Sequence, residues 1–417
     1  MRFSKARLAV FLGSTLIVLY GASAAFYGRV VAKDDAYKEI AVFMDALEKI
    51  NHDYVEAPDM SRVQEGAMRG LIEALDPYST YLSKAQLQAV EQRTGKAGVG
   101  VVLSKRADVL YVVATMRDGA ADLAGIRPGD YLIAVDSTGI EDKSIVEVAS
   151  LLRGEPDSKV KLTVFRGART KPVEVEVIRK PETTVPVVTQ LLDGGVGLLD
   201  VSSLAGEAAV QARVKLKTLI SAGAQKIILD LRDCADGKVS DGAELANLFL
   251  KSGIIYYAQN RNGEKVQQVE ATAEKSVTDL PLVVLINGSS SGPAEIAAGA
   301  LKDHRRATVV GERSFGSGSA QTRIPLKSGA VLFLSTAKYH TPSGKRIQDD
   351  DSVRATGIKP DVEAPDSDRH QVLLVESYFD DKEDAAKYRE LREKIGREQL
   401  NKAVEIVSQP GAVKKAA

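Results

Sequence analysis

The stretch Leu282-Val-Val-Leu-Ile286, followed at once by Asn287-Gly-Ser-Ser-Ser-Gly-Pro-Ala-Glu295, decides how the chain is read. Five consecutive apolar residues suit a strand covered on both faces. Pro293 fits the first turn of a helix, where its missing N–H would have no partner anyway. Strand, turn and helix therefore follow one another without a gap. A turn of this kind lifts a side chain above the strand edge while free amides at the helix N-terminus point at a developing negative charge. Ser290 and Ser291 also admit a plainer role, since serine is a favoured helix cap.

Outward from this turn the same pattern repeats. From Pro181 to about Ala364, apolar runs at Val196 to Val201, Lys226 to Leu231 and Leu282 to Ile286 alternate with helical stretches at Ala208 to Ser221 and Gly242 to Lys251. That alternation predicts an α/β core with the segment from Val283 to Ile286 at its centre. Between Gly98 and Arg166 the texture is different. Short β-rich runs (Val99 to Leu103, Val109 to Thr115, Tyr131 to Val135, Val160 to Arg166) are separated by Gly, Asp and Pro clusters, which predicts a small mixed domain. Gly98-Val-Gly100 is not a dinucleotide fingerprint, because no third glycine follows at the required spacing. Ahead of it, Ile40, Phe43, Met44, Leu47 and Ile50 recur at helical spacing, predicting amphipathic helices that end at Asp76-Pro77. Past Gln371, Lys382 to Val407 is rich in Lys, Glu and Arg and reads as a solvated helix.

Composition narrows the function classes. Fifty-six basic residues balance fifty-six acidic ones, so no overall field draws the chain to nucleic acid. One cysteine and four dispersed histidines offer neither a disulfide nor a thiolate cage, and no metal or other cofactor is expected. Arg2, Lys5 and Arg7 precede the uncharged run Leu8 to Gly28, long enough at helical rise to cross a bilayer. The pattern predicts a membrane anchor with the remainder on the periplasmic side of a bacterial inner membrane. Ala22-Ser23-Ala24 equally fits a signal-cleavage site, which would release the chain.

Several segments together resemble the C-terminal processing (tail-specific) serine peptidases. Residues 66 to 82, ending Leu-Asp-Pro-Tyr-Ser-Thr-Tyr-Leu, are similar to the element that precedes the peptide-binding domain in that family. Gly98-Val-Gly-Val101 with Gly119-Ala-Ala-Asp-Leu-Ala-Gly-Ile-Arg-Pro-Gly-Asp-Tyr-Leu132 resembles a circularly permuted PDZ domain. Such domains hold a peptide as an added strand and capture its carboxylate on backbone amides, a role that would fall to Gly98, Val99, Gly100 and Val101. The resemblance implies an N-terminal membrane helix (1–32), a helical region (33–85), a PDZ domain (86–180), a ClpP/crotonase-like α/β core (181–370) and a charged tail (371–417). It also allows pairing of copies into a homo-oligomer.

The resemblance assigns chemistry to particular positions, and this chain departs from it at three. The family's nucleophilic serine falls on Gly292, and its lysine base falls on Ser317 within Gly311-Glu-Arg-Ser-Phe-Gly-Ser-Gly-Ser-Ala-Gln321, while Gln321 matches the glutamine that orients the base. In Leu229-Asp-Leu-Arg-Asp-Cys-Ala-Asp-Gly237, Asp236 replaces the first glycine of an oxyanion loop written Leu-Asp-Leu-Arg-Asn-Asn-Pro-Gly-Gly in the family. Lys302 should point away from the turn, Lys327 falls in a hairpin turn, and His304 reads as a surface residue, so none supplies a base. Losing a serine nucleophile alone costs roughly 10⁶-fold in turnover. The expectation is a chain that binds protein C-terminal tails and does not cut them. The alternative is an active serine endopeptidase using Ser291.

Overall fold

The computed structural model describes residues 40–93, 95–106, 109–166, 171–181, 185–348, 357–364 and 382–409. The expected anchor run lies outside them, and among the described residues no helix is long and apolar enough to cross a membrane. The chain divides after Gly70. The first unit contains a helix over residues 40–53 whose Ile40, Phe43, Met44 and Ile50 face solvent, and it enters the helix Met60–Glu73.

In the second unit the core is one six-stranded sheet whose spatial order follows the sequence: Val188–Leu192, Val196–Asp200, Lys226–Asp230, Leu282–Ile286, Thr308–Gly311, Val362–Glu363. The first pair is an antiparallel hairpin and every later pairing is parallel. Leu282–Ile286 is wholly buried near the middle, as its unbroken apolar run requires. Successive strand residues point to opposite faces, and the two faces carry different partners. Leu229, Leu282, Val284, Ile286 and Val309 pack with the helices Ala208–Ser221, Val239–Asn247 and Pro293–Asp303. Ile228, Val283, Leu285 and Val310 pack with Ala403, Ile406 and Val407.

That second face corrects the sequence expectation for the tail. The helix Lys382–Ser408 is not merely solvated; it covers the sheet. Its apolar residues are few and crowded near the C-terminal end, so the charged majority hid them. Burying Ile406 and Val407 contributes on the order of 1.5–3 kcal/mol each. The helix expected at Gly242 to Lys251 runs Val239–Asn247 instead. It stops because the Asn247 side chain turns back, donating to the carbonyls of Leu250 and Thr272.

A second, antiparallel sheet lies beside the core: Thr80–Leu82, Val331–His340, Ile254–Gln259 and Lys265–Glu270 in order, with Ser319–Pro325 also paired to Val331–His340. The mixed domain is a sheet ordered Val101–Arg106, Val109–Thr115, Tyr131–Val135, Lys159–Phe165, Val173–Ile178, with helices Ala120–Ala124 and Ile145–Leu152. Val112, Leu132, Val148, Leu162 and Val164 give it a core of its own. A capping box at Ser144 and Glu147 starts the second helix. Buried Arg166 forks onto Asp130 at 2.6 and 2.7 Å. Val101–Arg106 is an edge strand, with a single neighbour in the sheet.

Candidate active site

Gly292 sits between the central strand and the helix Pro293–Asp303 with φ 53° and ψ −109°. L-residues rarely hold that conformation, and it is the sort of backbone that a strand-to-helix turn uses to aim a nucleophile. A Cβ built on Gly292 meets no heavy atom within 4 Å, so the seat for a side chain is open. The neighbouring serines are occupied differently. Ser290 is fully buried and donates to the Leu231 carbonyl at 2.8 Å while accepting from the Asn287 N–H at 2.9 Å. Ser289 donates to the Val113 carbonyl in the mixed domain at 2.8 Å. Ser291 is buried, its backbone N–H donating to the Cys234 carbonyl at 2.9 Å. It lies one residue before the strained position.

One carboxylate joins the two substituted positions. Glu295 is fully buried, and its Oε2 accepts from the N–H of Gly292 at 3.0 Å and of Ser317 at 2.7 Å. Its Oε1 accepts from the Gly316 N–H at 2.7 Å and the Ser314 hydroxyl at 2.5 Å. Burial pushes the carboxyl up to about 7 against the pull of these donors, which favour the anion. The nucleophile and base positions predicted from sequence are thus brought together, and the group that ties them was not singled out. An acidic residue amid the small apolar residues of a buried helix start was the available signal.

Gln321 is not drawn into this centre. It is exposed, and its side-chain amide donates to the Tyr78 carbonyl. Lys302 donates to the Lys359 carbonyl at 2.6 Å and pairs with Asp361 at 2.8 Å, away from the turn. Lys327 falls in the turn after Ser319–Pro325. His304 is half-buried rather than on the surface, bonded to the Ile254 carbonyl at 2.7 Å, because it closes the helix end over Gly253. Lys338, missed in the sequence, reaches the Ser319 hydroxyl at 2.8 Å, two residues beyond Ser317.

The segment Leu229 to Gly237, expected to form an oxyanion loop, carries carboxylates beside this turn. Asp233 takes φ 61° and exchanges hydrogen bonds with Asn287 at 2.9 and 3.0 Å. Cys234 is buried, and burial with the surrounding carboxylates pushes its thiol well up, so it is held protonated and unreactive. Asp236 accepts from the Ser203 hydroxyl at 2.8 Å through Oδ2, while its buried Oδ1 has no hydrogen-bond partner. Burial raises this carboxyl as well. The loop presents an acceptor where a reaction of this type needs donors. Among the described residues, no group of His, Cys, Asp and Glu is arranged to hold a metal ion.

In the mixed domain, Gly98 pairs with Lys180, and Val101 opens the edge strand opposite Thr115. Gly100, at φ 72°, accepts from the Met116 N–H at 2.8 Å. The Val99 side chain is packed into the domain core, and its carbonyl accepts from the Ala121 N–H at 2.8 Å. The helix Ile145–Leu152 shares the core with Val101 and Leu103 of the edge strand.

Comparison with known proteins accounts for this arrangement. The pattern of peptidase family S41 matches residues 195–364, that of a PDZ domain matches 111–166, and that of the activating protease CtpB N-terminal domain matches 22–86. A carboxy-terminal-processing protease of Bartonella bacilliformis is 32% identical over 359 residues, which is 85% of this chain and 80% of that one. A probable CtpA-like serine protease of Staphylococcus aureus is 30% identical over 331 residues, and this chain spans 64% of its length. The solved photosystem II D1 C-terminal processing protease superposes with a TM-score of 0.65 at 26% identity, covering 76% of this chain and 86% of that one. The chain belongs to peptidase family S41, the C-terminal processing proteases, in its PDZ-containing form.

Proposed function

We propose that this chain is a catalytically degenerate family member that binds the C-terminal tails of other proteins through its PDZ domain and acts as a scaffold. The observation that carries the reading is the turn itself. Gly292 keeps a nucleophile-presenting backbone and an open seat, yet has no hydroxyl; Ser317 reaches the same Glu295 oxygen only through its backbone N–H. Framework and reactive groups have parted company here. Relatives named for processing C-termini supply the ligand class, and the edge strand Val101–Arg106 is the kind of surface on which a peptide adds as a strand. The basic and apolar N-terminal pattern supports a place in the bacterial envelope, anchored in the inner membrane and facing the periplasm.

The test is incubation with an unfolded protein ending in an apolar tail, followed by mass spectrometry. The wild type is expected to leave it intact, while a variant carrying Gly292→Ser and Ser317→Lys cleaves it. Wild-type cleavage that Ser291→Ala abolishes would overturn the reading in favour of a serine endopeptidase. Calorimetry with an apolar C-terminal peptide examines binding separately. Val101→Asp, which sets a carboxylate beside the incoming one, is expected to weaken affinity at least tenfold, by about 1.4 kcal/mol.

A further inference from the structure

The PDZ domain rests on the core beside the Gly292 turn, where Ser289 bonds the Val113 carbonyl and the Phe315 ring meets that of Tyr111 at 6.1 Å, and the contacts around these are made by charged side chains. A cavity of about 780 Å³ opens between Tyr111, Ile126, Phe315 and Ile395, so apolar contact is incomplete where the three parts meet. Around it, Arg392 of the C-terminal helix donates to Asp122 of the PDZ domain at 3.0 Å and to Asp233 of the oxyanion loop at 2.9 Å. Arg117 of the PDZ domain donates to Asp200 of the core at 2.5 Å and stands 3.9 Å from Asp233. Arg127 lies over the Tyr388 ring at 4.3 Å. The helix is itself fixed to the core, since Arg232 donates to the Gly396 carbonyl at 2.8 Å and to Gln399 at 3.0 Å.

Asp233 is the common point. Its backbone is strained, its Oδ1 is held by Asn287, and its Oδ2 faces both arginines. Two guanidinium groups thus converge on one carboxylate, an arrangement whose hydrogen bonds are charge-assisted. Burial lifts the cost of leaving any of these charges alone, so the cluster holds as a set. We infer that Asp233, Arg392, Asp122 and Arg117 form a clasp by which the C-terminal helix fastens the PDZ domain to the core next to the Gly292 turn. The PDZ domain of this chain is therefore a docked fixture under ordinary ionic conditions. The inference rests on docking geometry and stands or falls apart from whether peptides are bound or cut.

Hydrogen–deuterium exchange of the full chain, read by mass spectrometry, tests it. Arg392→Gln and Asp122→Asn are each expected to speed exchange at least tenfold in residues 116–124 and 287–291, leaving 160–164 and 282–285 at wild-type rates. In 1 M salt, where the screening length shrinks to about 3 Å, the wild type should move in the same direction. Exchange in 116–124 within twofold of wild type in both variants overturns the clasp. If Arg392→Gln also accelerates 160–164, it has loosened the domain itself, and exchange of 287–291 in Asp122→Asn decides by the same criterion, because those residues lie outside the bonds that Asp122 accepts from the Thr115 hydroxyl and the Asp118 N–H.

Discussion

Two carboxylates, Glu295 fully buried and Asp236 half-buried, flank the same turn and have different surroundings. Glu295 collects four donors, from Gly292, Ser314, Gly316 and Ser317. Asp236 accepts one hydroxyl on Oδ2 and lies near the Leu204 N–H and its own, while its Oδ1 has no hydrogen bond of ordinary geometry. The first holds the shape of the site, and the second, on the reading proposed above, opposes the chemistry of an oxyanion site. A folded turn and a catalytic one make different demands on neighbouring residues, and the four bonds to Glu295 answer the first.

The largest effect should come from Glu295. Glu295→Ala strands three backbone N–H groups and a hydroxyl in a dry interior, at roughly 1–3 kcal/mol for each donor left unsatisfied after relaxation. A net loss of about 3–5 kcal/mol in urea unfolding is expected. A loss below about 1 kcal/mol would mean the four bonds do not hold the turn, and the contrast with Asp236 would collapse.

Glu295 also gives a pH signature. Its folded-state value near 7 lies above the ordinary 4.5, so the folded state holds its proton more tightly than the unfolded state. The stability it contributes is present below about pH 4.5 and is lost as pH rises to about 7. At 1.36 kcal/mol per unit the decline is about 3 kcal/mol. Urea midpoints at pH 5 and pH 7.5 measure it, and Glu295→Gln should flatten the slope; an unchanged slope assigns the effect to other groups.

Much of this was legible in the sequence, and the limits have physical causes. Leu282–Ile286 and Ala208–Ser221 fall where their patterns predict, because a continuous apolar run and a helical stripe each admit one burial solution. Motif spacing names Gly292 and Ser317, and it does not name Glu295, the carboxylate on which both backbone N–H groups converge. The tail was misread because a helix that buries only a few residues at one end carries too little apolar signal against its charges. Arg392 escaped for a different reason. Its partners Asp122 and Asp233 are far away in the chain, and no local pattern encodes a pairing that only the assembled fold creates. The cradle expected at Gly98, Val99, Gly100 and Val101 is one of backbone amides, so the Val99 side chain can belong to the domain core without conflict; glycine-rich spacing fixes where the backbone turns and leaves open which side chains point inward.

The smallest predicted effect belongs to Asp236, and it has the opposite sign. A buried carboxylate oxygen without a donor costs free energy, and Asp236→Asn removes the charge while keeping a carbonyl to accept from Ser203. A gain of about 1 kcal/mol at pH 7.5 is expected. Because burial raises this carboxyl, the folded state favours the protonated form, and the native residue becomes less costly as pH falls; the gain should therefore shrink at pH 5. A loss of stability at both pH values would show that Asp236 anchors the loop through Ser203 more than it strains it. The same substitution sharpens the chemical contrast when added to the Gly292→Ser, Ser317→Lys variant. Donors at such sites are worth about 10²–10³-fold in turnover, so removing an opposing charge should raise cleavage by the double variant, whereas unchanged cleavage would place Asp236 outside the reach of the reacting carbonyl.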